Sequence, residues 1–399
     1  MYDASMAQRD TYELRESVRA ELDAAGDYSE EALRALVRRR IAAVGKERHW
    51  TSDERIRIEE RVLASFRGLD ILEPLLADPD VTEIMANGHE ALFYEKQGRL
   101  YRYPHRFESK ERLEDIIQTI VSKVNRTVNE ASPIVDARLP DGSRVCAVLP
   151  PIALCGPTLS IRKFPEKPIT LDRLLEWGAL TPDAASFLQS AVRRKKNIFV
   201  SGGTGSGKTT MLNVLSQAIP DGERVVTIED SAELRLTSLS NVVSLETRPA
   251  NTEGKGEITI RQLLRAALRM RPNRIIVGEV RGAEALDMLQ AMNTGHEGSM
   301  STGHANSVRD MLSRLETMAI GGADLPVPVV RRQIASALHL IVHVSRMPDY
   351  SRKVTEIVAV DGLAGEEYCL RVLFARKTAG DGPLIRYDER LEAGEGGGE

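Results

Sequence analysis

The chain has 399 residues, room for two or three domains, and its 54 Lys and Arg against 58 Asp and Glu leave a formal net charge of −4. That balance excludes the strongly basic field of a protein whose main partner is nucleic acid, so no nucleic acid is expected as a partner. Three cysteines with no C-x-x-C pair exclude a disulfide framework and a cysteine-rich zinc element. The start, MYDASMAQRDTYELRE, lacks the apolar core of a secretory signal. No apolar run reaches the roughly eighteen residues of a spanning helix, and a cytoplasmic location is expected.

Residues 1–66 read as a small helical module. SEEALRALVRRRIAAVG carries Leu33, Leu36, Val37, Ile41 and Val44 at helical spacing, the pattern of a solvated helical hairpin. Residues 67–163 read as an α+β domain. LDILEPLLADPDVTEIMANG predicts a helix, a turn at Asp78-Pro79-Asp80 and a strand. ALFYEKQGRLYRYP predicts a hairpin turning at Gln97-Gly98, and KERLEDIIQTIVSKVNR an amphipathic helix. DARLPDGSRVCAVLPP and TLSIRKF predict further strands, with Asp141-Gly142 at a turn. The prolines of FPEKPIT predict a linker over 164–175.

From 176 to 385 short apolar strands alternate with helical stretches, the pattern of a doubly wound α/β domain. Thr181-Pro182-Asp183 is a helix start, and the cations Arg193 to Lys196 suit its end. KVTEIVAV and YCLRVLF predict a late hairpin, and residues 386–399 a disordered tail.

NIFVSGGTGSGKTTMLNVL contains Gly202-x-x-x-x-Gly207-Lys208-Thr209 between an apolar strand and a helix. Such a loop cradles phosphate with the backbone of Gly203, Thr204, Gly205, Ser206 and Gly207, and a helix N-terminus adds its dipole. Lys208 is expected at the β/γ-phosphates and Thr209 on Mg²⁺, with Thr210 on the same first turn. Two later strands, RVVTIED and RIIVGEVRG, end in carboxylates: Glu229 with Asp230, and Glu279. Carboxyl ends of strands line the ligand crevice of such sheets. Gly278 stands where an acid usually ends the second of these strands, so Glu279 is expected to position water and to meet the metal through water. Glu229 is expected to tune metal or water, and Arg281 to anchor Glu279 or a neighbouring subunit.

Four pieces therefore stand in order: GGTGSGKT, TIEDSAEL, IIVGEVRGAEALDMLQAMNTG and HEGSMSTGHANS. Their order resembles the secretion and pilus motor ATPases, in which they are the Walker A, Asp box, atypical Walker B and His box. DPDVTEIMANG, ARLPDGSRVCAVLPP and SIRKF further resemble the CpaF/TadA-like branch that drives Tad or Flp pili. The resemblance implies a RecA-like engine behind an N-terminal domain, a homohexameric ring, ATP with Mg²⁺, and an inner-membrane platform as partner. It also implies that Arg138, Arg144 and Arg162 neutralise phosphate charge. GSMSTGHAN is expected to form a strand whose exit brings His304 to the γ-phosphate, with His296 in the loop before it as a second sensor toward an interface.

Type IV secretion of protein or DNA fits the same four boxes, and a RecA-like DNA translocase is a further reading. A GTPase switch is disfavoured because no N-K-x-D follows the loop. His339 and His343 have the spacing of a zinc pair but lack the intervening Glu of H-E-x-x-H, and are expected to be structural.

Overall fold

The computed structural model describes residues 4–25, 30–67, 69–123, 126–164, 169–250, 255–376 and 382–387. Contacts divide the chain into two units, Met1–Glu166 and Lys167–Glu399.

Among its described residues, the first unit opens with three helices, α1 (Ala4–Ala25), α2 (Glu30–Glu47) and α3 (Ser52–Arg67). The expected hairpin is a three-helix arrangement because each helix carries its own apolar stripe. Leu14, Val18 and Leu22 of α1, Leu36, Val37 and Ile41 of α2, and Ile58, Val62 and Leu63 of α3 bury together with Trp50. Arg15 of α1 pairs with Glu108 at 2.7 Å and so ties this bundle to the α+β segment of the same unit.

That segment continues through a tight turn of helix (Asp70–Leu72), α4 (Glu73–Ala77) and β1 (Val81–Asn87) into the hairpin of β2 (Ala91–Lys96) and β3 (Arg99–Arg102). Gln97 and Gly98 both take positive φ at the turn, as a two-residue hairpin loop requires. Helix α5 (Lys110–Ser122) starts at Ser109, whose side chain accepts the Arg112 N–H, and buries Leu113, Ile116, Ile117, Ile120 and Val121. Strands β4 (Ile134–Arg138), β5 (Arg144–Val148) and β6 (Thr158–Arg162) complete a six-stranded sheet in the order β3-β2-β1-β6-β5-β4, antiparallel throughout.

The second unit begins inside the expected linker. Residues 165–168 lie outside the described residues, but Leu171–Glu176 forms helix α6, because Thr170 caps it and Leu174 is buried in the core of this unit. The chain then runs through α7 (Pro182–Arg193), β7 (Ile198–Gly202), α8 (Lys208–Ser216), β8 (Val225–Glu229), β9 (Val242–Glu246), α9 (Ile260–Ala267) and β10 (Arg274–Val277). It continues with α10 (Glu284–Asn293), β11 (Met300–His304), α11 (Val308–Ile320), α12 (Val327–Ala337), β12 (Leu340–Arg346), β13 (Arg352–Ala364), β14 (Glu367–Arg376) and β15 (Leu384–Arg386). The first two residues of the expected tail, Arg386 and Tyr387, are placed against the sheet. Arg386 lies in β15 and the Tyr387 N–H donates to the Leu373 carbonyl; residues 388–399 lie outside the described residues.

Nine strands among the described residues form one sheet, β15-β14-β13-β12-β7-β11-β10-β8-β9. From β12 to β9 neighbours run parallel, and from β12 to β15 antiparallel. Alternation sorts the parallel strands onto two cores. Phe199, Val226, Ile275 and Val277 pack with α9 to α12, whereas Ile198, Val200, Val225 and Ile276 pack with α7 and α8. A sheet covered on both faces explains why these strands read as unbroken apolar runs. No helix among the described residues is long and apolar enough to cross a membrane.

The starting end of β10 is held by a buried ion pair. Arg274, 0% exposed, donates from Nε and Nη2 to Glu223 at 2.7 and 2.9 Å, and from Nη1 to the carbonyls of Val192 and Gly298. Removing the carboxylate leaves a desolvated guanidinium. Glu223→Ala is therefore expected to lower unfolding free energy by about 3–5 kcal/mol in urea titration. A loss under about 1 kcal/mol would show that the pair is not what holds this end.

Candidate nucleotide site

Strand β7 runs parallel between β11 and β12, with Gly202 opposite His304 and Val344. A Cβ at Gly202 would lie 2.2 Å from the Val344 carbonyl oxygen and 2.5 Å from Ser206 Oγ, so only glycine lets the chain leave the sheet here. Gly205 and Gly207 then take φ of 69° and 96°. Gly207 is the left-handed residue from which α8 starts, and no side chain caps that helix. Its first amides are thus left to an incoming acceptor. Gly203, Thr204 and Gly205 are exposed, and Thr209 and Thr210 are half-buried on the first turn. The buried Ser206 hydroxyl has no partner among the described residues. This donor-rich loop fits a polyphosphate.

A run of charged groups leads sideways from the loop. Lys208 Nζ donates to the Gly203 carbonyl at 2.9 Å and lies 3.2 Å from His304 Nδ1. His304 Nε2 lies 2.8 Å from Glu279 Oε1. Arg281 Nη2 donates to Glu279 Oε2 at 2.7 Å, and its Nη1 is 3.8 Å from Asp230. Of its two expected roles, Arg281 thus performs the anchoring of Glu279 within this chain. Burial lowers the affinity of Lys208 for its proton. Burial, and then the Lys208 charge, lower the pKa of His304.

Glu229 ends β8, 3% exposed, with its carboxylate turned to the backbone. Its oxygens accept the N–H groups of Glu233 and Leu234 at 2.8 and 3.1 Å. This carboxylate therefore organises the loop after β8. Gly278 makes the room for it: a Cβ there would lie 2.8 Å from Glu229 Cγ. The Thr302 hydroxyl donates to the Gly278 carbonyl at 2.7 Å and fastens β11 beside it. The missing acid at 278 thus has a steric cause.

Not all the expected site residues gather here. HEGSMSTGHANS does form a strand, β11, and His304 exits it at the loop. His296 lies before the other end, where the Gly298 and Ser299 amides bind the Asn197 side chain at the start of β7. His304 ends β11 while His296 precedes its start, so His296 is not a partner of His304 at the phosphate loop. Its Nδ1 is buried without a hydrogen-bond partner among the described residues. Arg138, Arg144 and Arg162 belong to the first unit, where strand register sets them directly opposite one another in a row. Glu83 continues the row and pairs with Arg162 at 2.6 Å.

Residues 66–371 match the family described as Type II/IV secretion system protein. The chain belongs to this family. It is 36% identical over 344 residues to a putative conjugal transfer protein of Mycobacterium tuberculosis, covering 83% of this chain and 97% of that protein. It is also 36% identical over 322 residues to the type IV secretion system protein PtlH of Bordetella pertussis, covering 74% and 95%. The Legionella pneumophila ATPase DotB superposes with a TM-score of 0.54 at 22% identity, over 73% of this chain and 81% of that one. The fold is accordingly an α/β, RecA-like P-loop domain preceded by an α+β domain and a helical module.

Within this family member His339 and His343 are structural. His339 Nδ1 accepts the Asn197 N–H at 3.0 Å, and His343 Nδ1 lies 2.8 Å from Ser201 Oγ, bracing β7 one residue below the loop. The brace escaped sequence reading because β7 and β12 are far apart in the chain. Burial lowers the His343 pKa below 6.5. The native state then stays neutral where the unfolded chain takes up a proton, so stability present above about pH 6.5 falls as the pH drops toward the native pKa. His304 and His339 shift the same way. Urea titrations between about pH 7 and pH 5 should show this loss, with a shallower pH slope in His343→Gln. An unchanged slope would assign the acid loss to other groups.

Proposed function

We propose that this secretion-family member is a Mg²⁺-dependent ATPase that works as a homohexamer and passes motion to an inner-membrane platform. The observation that carries the reading is the unbroken path from Lys208 through His304 to Glu279. It joins the residue expected at the β/γ-phosphates to the carboxylate expected to hold water. Lys208 and the loop amides hold the phosphates. Glu279 accepts the proton of the attacking water as the γ-phosphoryl group leaves ADP, and His304 reports that event along β11.

Bound Mg²⁺ would neutralise charge on the β- and γ-phosphates. The donor set suits an ion carried mainly by phosphate: Thr209 offers a hydroxyl, while Glu229 and Glu279 are already engaged and suit contact through water. The row of Arg138, Arg144 and Arg162 is proposed to meet nucleotide phosphate. His296 is proposed as a group at an interface between subunits.

The finer role we propose is assembly of a Tad or Flp type pilus from the cytoplasmic face of the membrane, supported by DPDVTEIMANG, ARLPDGSRVCAVLPP and SIRKF. Type IV secretion is the second reading, favoured by the names of the 36% identical relatives. Direct DNA translocation is separable from both, since DNA would then raise turnover with a steep salt dependence.

Glu279→Gln should slow ATP turnover by about 100-fold or more while the protein still binds nucleotide. Lys208→Ala should lose most nucleotide binding. Hydrolysis by Glu279→Gln at the rate of the unaltered protein would remove Glu279 as the base. Mass measurement with ATP should find six copies, and a strictly monomeric active enzyme would contradict the ring.

A further inference from the structure

The hairpin of β12 and β13 stands beside the phosphate loop. β12 follows β7 as far as Val344 opposite Gly202, and two residues later Arg346 lies directly opposite Arg352. Both arginines are exposed. A Cβ at Gly205 would lie 3.9 Å from Arg346 Nη1, and one at Gly207 would lie 3.4 Å from Arg352 Cδ. The Arg346 guanidinium and the side-chain stem of Arg352 therefore flank the two glycines whose left-handed backbone shapes the phosphate cradle.

The turn between the arginines is tightly made. The Met347 N–H donates to the Ser351 carbonyl at 2.8 Å and the Tyr350 N–H to the Met347 carbonyl at 2.9 Å. Ser351 donates to Asp349 Oδ1 from both its amide and its hydroxyl, which fixes the turn. Met347 is buried, Tyr350 takes a φ of 67°, and the Arg346 guanidinium lies over the Tyr350 ring at 5.1 Å. Like charges directly opposite in a hairpin repel. A rigid turn that holds two of them against a phosphate loop concentrates positive charge for an anion.

Position in the sheet says which part of the anion they meet. The strand order β12-β7-β11 puts the hairpin on one side of the loop and His304 with Glu279 on the other. Charge on the hydrolytic side acts on the γ-phosphoryl group. Charge on the opposite side acts on what ATP and ADP share.

We propose that Arg346 and Arg352 clamp the α- and β-phosphates of the bound nucleotide from within the same chain, and so govern retention of ADP. The proposal rests on the reading of the loop as a nucleotide site. Such a clamp binds ground state and transition state alike, so its loss raises KM more than it lowers kcat.

The test is calorimetric titration of ADP and a slowly hydrolysed ATP analogue into the full-length protein and into Arg346→Gln and Arg352→Gln, with Arg352→Lys as the conservative variant. Each glutamine variant should bind both nucleotides about tenfold more weakly, the size of one lost charge-assisted hydrogen bond. The lysine variant should keep part of the affinity. Nucleotide-free melting temperatures should change little, because both side chains are exposed, and the stabilisation by ADP should shrink. ADP affinity within about twofold of the unaltered protein in both glutamine variants would overturn the clamp while leaving the ATPase reading intact. Lower nucleotide-free melting temperatures in both would assign the arginines to the hairpin and also overturn it. Failure of the unaltered protein to bind either nucleotide would overturn both readings.

Discussion

The close approach of β7 and β12 at Gly202 is the constraint on which the C-terminal unit turns. The Val344 carbonyl and the Ser206 hydroxyl close on the space a side chain would fill. Because nothing projects there, the chain leaves the sheet tightly, and α8 starts from Gly207 with no side-chain cap. The same register holds His304 opposite Gly202, and His304 in turn meets Lys208 and Glu279. One missing methyl thus aligns a loop, a histidine and a carboxylate that come from separate parts of the chain.

Two supports keep that arrangement from drifting. Ser201 and His343 join β7 to β12 just below the loop, and the Thr302 hydroxyl joins β11 to the turn at Gly278. At the other end of the sheet Arg274 gathers Glu223, Val192 and Gly298 around one guanidinium. The unit is therefore fastened by buried polar contacts at both ends of its strands, with apolar cores between them on both faces. Fully satisfied contacts of this kind favour a single arrangement over near alternatives.

What could be read in advance was what is written locally. The phosphate loop, the strand ends at Glu229 and Glu279, and the exit of His304 each lie within a dozen residues of the pattern that reveals them. What could not be read depends on counts and registers. His296 and His304 look like one motif, but they stand at opposite ends of β11. Glu229 looks available to a metal, yet it binds amides four and five residues further on. Arg138 and Arg144 flank an Asp-Gly turn and are legible as neighbours, whereas Arg162 joins them only through pairing of β5 with β6. The expected linker hid a helix because two prolines outweighed the cap at Thr170, a side-chain contact that composition does not reveal.

The space around Gly278 also sets a rule for how such a sheet can change. Glu229 reaches its loop amides only across the position where a side chain at 278 would stand. An acid at 278 and a glutamate at 229 are therefore rival tenants of one volume. A lineage moving between the two arrangements has to exchange them together, since either single step overcrowds the strand ends or leaves the loop after β8 without its anchor. The two positions, some fifty residues apart in the chain, should behave in descent as a single character.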